Sequence, residues 1–265
     1  MYSHFRIALK YLRYFFTASN GRGHGVHSPF VFDFITKVMN DHRHYYCYDD
    51  IENLRSEMRL DKTLLTIEDF GAGSIISQKK QRTIAAIVQS ALKTKKFAQL
   101  MFRMVNFYQP KTIIELGTSL GITAAYLASA KQDAIVITME GSESIAAIAK
   151  KNFKELGLNN IRTIKGNFND TLPGVLTQIQ TADFVFLDGN HRKEPTLKYF
   201  EQLLGKADEH SIFIFDDIHW SEEMETAWKI IQQQENVTLT LDLFFIGIVF
   251  FRKGQKEKQH FIIRF

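Results

Sequence analysis

Three carboxylates and a histidine stand where two apolar runs end, and their types and spacing suggest chemistry. Asp188 closes the run Phe184 to Leu187, Asp216 and Asp217 close Ile212 to Phe215, and His191 lies three residues beyond Asp188. Carboxylates gathered in one crevice repel one another unless a proton or a cation intervenes, and hard oxygen ligands suit Mg²⁺, Mn²⁺ or Ca²⁺. Asp188, Asp216 and Asp217 are therefore candidate metal ligands. Strand-end capping or cofactor orientation without metal is the competing role. An imidazole in its ordinary range titrates near neutrality, so His191 is a candidate general base, or else a loop histidine bonded to a carboxylate.

A second constellation is Glu115-Leu-Gly117-Thr118-Ser119-Leu-Gly121, at the end of the run Thr112 to Leu116. Gly117 and Gly121 permit a tight turn and a close ligand approach. Their spacing fails the G-x-G-x-x-G rule for dinucleotides, which argues against NAD and FAD. Glu140 ends the next apolar run, where a carboxylate accepts both ribose hydroxyls of an adenosine. Loop and carboxylate together describe a nucleoside site without a phosphate cradle.

The elements that must position these residues read as an alternation. Short β-rich runs at Thr112 to Leu116, Ala134 to Met139, Ile161 to Ile164, Phe184 to Leu187 and Ile212 to Phe215 are separated by helix-periodic segments. Those segments are Ile122 to Ser129, Ser144 to Leu156, Thr196 to Leu204 and Ser221 to Gln233, which predicts βαβ units and a parallel sheet. Val237 to Leu243 and Gly247 to Phe251 are too close for a crossover helix and are predicted to pair as an antiparallel hairpin.

From about Gln99 to Phe251 the chain resembles the catechol and caffeoyl-coenzyme A type of S-adenosylmethionine-dependent O-methyltransferase. The stretches that carry the resemblance are IIELGTSLG, VITMEGSESIAAIAKKNF, IKGNFNDTLP, FVFLDGNH and IFIFDD. It implies a class I, Rossmann-like α/β fold, with a mostly parallel seven-stranded sheet closed by an antiparallel hairpin. It implies S-adenosyl-L-methionine as cofactor, with Glu115, Gly117, Ser119 and Gly121 lining its methionine and adenosine moieties. Thr123 is expected at the methionine carboxylate, Glu140 at the ribose, Asn167 with Phe168 at the adenine, and Asp188 also beside the donor. Asp188 and His191 are the expected catalytic pair. The family's metal ligands are two aspartates and an asparagine, and Asp217 departs from that pattern; His191 stands where the family carries a lysine. HGVHSPFVF and DFGAGS in the N-terminal part resemble a bacterial branch of these enzymes.

Up to about Gln109 the pattern is helical, with no convincing strand series, and the expected organisation is a helical cap or lid over 1–95 and a donor-binding domain over 96–265. Phe5, Leu9, Leu12 and Phe16 recur at helix spacing, and either packing against the core or acting as a lid or partner-binding face is open to them. A second helix is predicted from Lys96 to Tyr108, with Phe97, Leu100, Met101, Met104, Val105 and Tyr108 on one face and Pro110 beyond its end. Asp69-Phe-Gly71-Ala-Gly73-Ser74 imitates a nucleotide loop. The segment from Lys79 to Phe102 reads as helical and basic, so a glycine turn between helices, or a segment covering the pocket, is the expectation there. His24, His27, His42, His44 and Cys47 lack the spacing of a zinc framework. Trp220, after His219, suits either an aromatic substrate wall or helix packing.

Composition bounds the rest. With 265 residues, 45% of them hydrophobic, the chain can bury a full core. Its single cysteine suits a reducing compartment, and the cytoplasm is the expected location. No signal peptide or membrane-spanning run is read, and no membrane partner is expected. The net charge of +4 leaves nucleic acid open as a partner. The basic clusters Lys79, Lys80, Arg82 and Lys93, Lys95, Lys96 read as solvated helix faces. The leading function is O-methylation of a small hydroxylated metabolite. RNA methylation and non-catalytic S-adenosylmethionine binding are the alternatives, and a homodimer is open.

Overall fold

The structure is a computed structural model, and it describes residues 1–69, 78–255 and 257–265. In chain order the elements begin with α1 (His4–Thr17), α2 (Pro29–Phe34) running into a π-helical turn at Ile35–Met39, and α3 (Tyr48–Leu60). β1 (Leu64–Asp69), β2 (Gln78–Thr83), α4 (Ile84–Ala91) and α5 (Lys95–Tyr108) follow. The alternating part comprises β3 (Thr112–Leu116), α6 (Ile122–Ala130), β4 (Ile135–Glu140), α7 (Glu143–Glu155), β5 (Ile161–Lys165), α8 (Phe168–Gln178), β6 (Phe184–Leu187), α9 (Lys193–Leu204) and β7 (Ile212–Asp216). The chain continues through α10 (Glu222–Gln233), β8 (Leu239–Asp242), β9 (Ile246–Phe250) and β10 (Gln259–Ile262). Among the described residues no helix is long and apolar enough to cross a membrane.

Two compact units share the chain: residues 42–179 form one, and residues 1–41 with 180–265 form the other. α1 packs with the far end of the sequence, within the second of these units. In the 42–179 unit, β3, β4 and β5 pair in parallel in that order. In the other unit the order is β10-β8-β9-β7-β6, with β6 parallel to β7 and β9 antiparallel to both β7 and β8. The α/β class, the mostly parallel strands and the closing hairpin all match the sequence expectation. β3 to β9 are the seven strands anticipated, and β10, parallel to β8, is one more.

The parallel strands form where apolar residues run without alternation. Phe184 to Leu187 and Ile212 to Phe215 are buried throughout, as strands covered on both faces must be. α6 is buried from Ile122 to Ser129, so it lies inside the core of its unit. In the hairpin, Gly247 is a packing requirement: a Cβ there would stand 2.6 Å from the Trp228 ring. α5 meets its prediction, with Phe97, Leu100, Met101, Met104 and Val105 buried, and it ends at Gln109 in the left-handed region with φ 56°. Pro110 prevents the helix from continuing.

Two expectations for the N-terminal part are corrected. The stretch from Lys79 is not helical throughout: Gln78–Thr83 is a strand paired antiparallel with Leu64–Asp69. Leu65 and Ile67 alternate inward while Leu64 is exposed, so β1 has the half-buried period of two. The polar β2 becomes a strand through pairing with β1, without apolar periodicity of its own. The mimic loop at Asp69 to Ser74 lies, from Phe70 onward, outside the described residues. The second correction concerns α1: its helix is present, capped by Ser3, but Phe5, Leu9, Leu12 and Phe16 are all exposed. Packing falls to Ile7, Tyr11, Tyr14 and Ala18, which gather around Phe244.

Candidate active site

In the 42–179 unit the glycine loop begins where β3 ends. The backbone N–H groups of Gly117 and Thr118 both donate to the Met139 carbonyl at 3.0 Å, which docks the loop on the end of β4. Gly117, Ser119 and Gly121 take φ values of 108°, 47° and 85°. At Gly121 the positive φ coincides with a close approach, since a Cβ would lie 2.5 Å from the Phe153 ring. Both facts require glycine. Thr123 follows, buried in the first turn of α6.

Glu140 closes β4 and is tied to the loop through both oxygens. Oε2 accepts the Ser119 N–H and Oε1 the Ser142 N–H, each at 2.9 Å. The carboxylate keeps acceptor capacity for a further donor such as a ribose hydroxyl. Burial raises the pKa of this carboxyl, against the backbone N–H groups of Ser142, Ser119 and Gly141, which lower it. Gly166 donates to the Glu140 carbonyl at 2.9 Å, holding the end of β5 beside that of β4. Asn167 then caps α8 by accepting the Asn169 N–H, and Phe168, half-buried, opens that helix. Parallel pairing thus brings Ser119, Glu140, Asn167 and Phe168 to one edge, the carboxyl ends of β3, β4 and β5.

Glu115 lies one residue before the end of β3. Its side chain is fully buried within β3, and Thr138 Oγ1 donates to its Oε2 at 2.5 Å. Thr118 Oγ1 lies 2.5 Å from Thr138 Oγ1. With the single hydroxyl hydrogen of Thr138 committed to Glu115, Thr118 is the donor in that pair. The acid therefore reaches the loop through two threonines, Thr138 and Thr118, that the sequence reading did not single out. Burial pushes the Glu115 carboxyl up to about 8; the Thr138 bond pulls it down and the charge of Glu140 adds to the rise. Glu115 Oε1 and Ser119 Oγ are buried without a hydrogen-bond partner, so polar capacity at this loop is left for a ligand.

In the other unit, β6 and β7 are level, with Leu187 opposite Phe215, so the residues that follow, Asp188 and Asp216, emerge side by side. Asp188, His191 and Asp216 each offer one ligand atom, and these atoms lie within 4.8 Å of one another. Among the described residues this is the group of three or more metal-capable side chains. Its donor set, two carboxylates and an imidazole, suits a divalent cation. His191 stands 3.6 Å from Asp188 Oδ1 through Nε2 and 3.9 Å from Asp217 Oδ2 through Nδ1. Asp217, with φ 54° and its N–H on the Phe245 carbonyl, lies outside the three-residue group. The three gathered side chains thus include His191, the candidate base. Elsewhere, His44 pairs with Asp49 at 3.1 Å, and burial pushes the Cys47 thiol up to about 11.

A neighbouring network went unread in the sequence. His219 bonds Asp242 at 2.8 Å and Glu225 at 3.0 Å, and Glu225 also accepts from Lys10 and Tyr2. Burial alone lowers the His219 pKa, but the bonds and charges of Asp242 and Glu225 outweigh it, and the net shift is upward. The Trp220 carbonyl accepts the Tyr2 N–H at 3.0 Å, so Trp220 takes part in holding the N-terminal segment.

Residues 114–218 match the family described as a methyltransferase domain. The match covers less than half of the chain. The matched stretch contains the glycine loop, Glu140, Asp188, His191 and Asp216. The O-methyltransferase imqG of Aspergillus flavus is 27% identical over 114 residues, which cover 41% of this chain and 45% of the relative. A protein of Mycobacterium sp. (strain JLS) is 29% identical over 101 residues, 36% of this chain and 44% of its own. The chain therefore spans less than half the length of these curated relatives. Among solved structures, the Bacillus cereus O-methyltransferase in complex with S-adenosylhomocysteine aligns with a TM-score of 0.57 at 17% identity, covering 80% of this chain and 93% of that one. The S-adenosylhomocysteine-bound methyltransferase of Podospora anserina aligns with a TM-score of 0.60 at 14% identity, covering 85% and 97%. The domain therefore has the Rossmann-like methyltransferase fold.

Proposed function

We propose that the protein is an S-adenosylmethionine-dependent O-methyltransferase acting on a small hydroxylated metabolite. The observation that carries the reading is the join between Ser119 and Glu140: a glycine loop held open by the acid that ends the next strand, with two buried polar atoms left unpartnered beside it. The donor, when bound, supplies an electrophilic methyl group on a sulfonium. Glu140 is assigned to the ribose hydroxyls, Ser119 and Thr123 to the methionine moiety, and Asn167 with Phe168 to the adenine. Gly117 and Gly121 keep side chains out of the donor's way. Glu115 positions the loop through Thr138 and Thr118.

His191 is assigned the proton of the acceptor hydroxyl. Once His191 holds that proton, the acceptor oxygen could take the methyl group that the donor would supply, the donor's carbon–sulfur electron pair remaining with its sulfur. Asp188, 3.6 Å from His191, stabilises the imidazolium that forms. Mg²⁺ is the candidate cation for the carboxylates Asp188, Asp216 and Asp217, where it would lower the pKa of a coordinated hydroxyl and leave the His191 imidazole free for the proton. Titration calorimetry with S-adenosylhomocysteine tests the donor assignment: Glu140→Ala is expected to weaken binding by roughly tenfold or more, as loss of a charge-assisted hydrogen-bonding group should. Equal affinity for both proteins rejects the assignment.

A further inference from the structure

α1 has two apolar faces, and only one is covered. Ile7, Tyr11, Tyr14 and Ala18 pack around Phe244, and Tyr14 donates to the Ile263 carbonyl. At about 100° per residue, Phe5, Leu9, Leu12 and Phe16 fall within an arc of roughly 60° on the opposite side. Their exposures are 74%, 51%, 51% and 76%. Met1 at 84% and Phe15 at 39% extend the same apolar surface. Isolated exposed leucines need no explanation; an unbroken stripe with two phenylalanines along a whole helix does.

The charge around this stripe is one-sided. The 33 basic and 29 acidic residues leave a net +4 for the chain. Arg6, Lys10, Arg13 and Arg22 precede the first acidic residue, Asp33, so the segment before Asp33 holds the entire excess and the remainder is balanced. Lys10 is engaged with Glu225, while Arg6 and Arg13 are exposed and flank the stripe on one side. The Arg264 guanidinium adds a cation 4.3 Å from the Phe15 ring centroid. A second copy packed antiparallel on this face would set cation against cation. An anionic surface with an apolar interior meets both features at once.

We infer that α1 is an interfacial anchor that lays Phe5, Leu9, Leu12 and Phe16 into an anionic lipid surface, with Arg6 and Arg13 at the headgroups. A helix with phenylalanine and leucine on one face and arginine beside them lies in the plane of a bilayer without crossing it. The Tyr2, Lys10 and Glu225 bonds and the Tyr14 bond hold the helix to its own unit with the stripe outward. The anchor is independent of the methyl-transfer reading and is tested without turnover.

The test is cosedimentation of the purified full chain with vesicles of phosphatidylcholine alone or with about one-third phosphatidylserine. Roughly tenfold stronger binding to the anionic vesicles is expected, falling as salt rises. Phe5→Gln with Phe16→Gln is expected to lower that binding at least about tenfold, since two large apolar side chains leave the interface. Arg6→Glu with Arg13→Glu is expected to remove the preference for phosphatidylserine. All four positions are exposed, so unchanged thermal melting serves as the folding control. Equal pelleting of wild type with both vesicle types overturns the inference, as does unchanged binding of the phenylalanine variant. A vesicle-free dimer that dissociates in the phenylalanine variant, from protein that ignores vesicles, assigns the face to a second copy and overturns it too. So does protein that ignores vesicles but binds an acidic amphipathic peptide through these residues.

Discussion

Replacement of Glu115 by glutamine isolates the energetic effect of one buried proton. Burial holds this carboxyl at about 8 in the folded chain, against an ordinary value of 4.5. A raised folded-state value means that the native protein binds a proton that the unfolded chain releases. The stabilisation is complete below the unfolded value and is lost as pH rises through the folded one. Between pH of about 5.5 and 7.5 the linkage integral amounts to about 2.5 kcal/mol. The substituted amide retains the shape and an oxygen that can accept from Thr138, but it cannot ionise. Urea unfolding of both proteins across this range is the assay, and other titrating groups cancel in the difference. The wild type should lose about 2.5 kcal/mol relative to Glu115→Gln, a midpoint shift of roughly 1 M for a chain of this size. Stability curves that stay parallel over the whole range would refute the assignment of a neutral Glu115.

Three further outcomes are expected. His191→Ala should lower kcat by about 10²- to 10⁴-fold with S-adenosylhomocysteine affinity unchanged, read by methyl incorporation and calorimetry; unchanged turnover across pH removes His191 from the mechanism. Gly121→Ala, which adds a Cβ 2.5 Å from Phe153 at a φ of 85°, should cost about 1–3 kcal/mol in thermal or urea unfolding. Tyr14→Phe should cost about 1–3 kcal/mol by leaving the Ile263 carbonyl and Phe265 N–H without their shared partner, again measured by unfolding.

β4, β6 and β7 were legible because each is a short apolar run with a carboxylate at or just beyond its carboxyl end. Burial and the position of the site share that origin, so Glu140, Asp188 and Asp216 could be located from the same pattern. β2 and β10 were not legible: QKKQRT and QHFI lack an apolar run, and pairing with β1 and β8 makes them strands. The α1 stripe was read correctly as helical, but periodicity cannot say which of two apolar faces a core will take. Tyr14 and Ile7 took it because Phe244 and the Ile263 carbonyl await them across the sequence. Thr138 and Thr118 escaped notice because a strand threonine signals nothing until a buried acid is found beside it.

The Tyr14 hydroxyl and the Ile263 carbonyl are 249 positions apart, and Ser19 bridges to the same Ile263. Residues 42–179, by contrast, form a unit from one uninterrupted stretch. During synthesis α1 waits for partners the ribosome has not yet made. Closing so long a loop is the slow kind of step, and through that interval the uncovered phenylalanines and leucines of α1 stand with Tyr11 and Tyr14 as open nonpolar surface. The order of translation thus makes α1 an element that waits for partners made long after it.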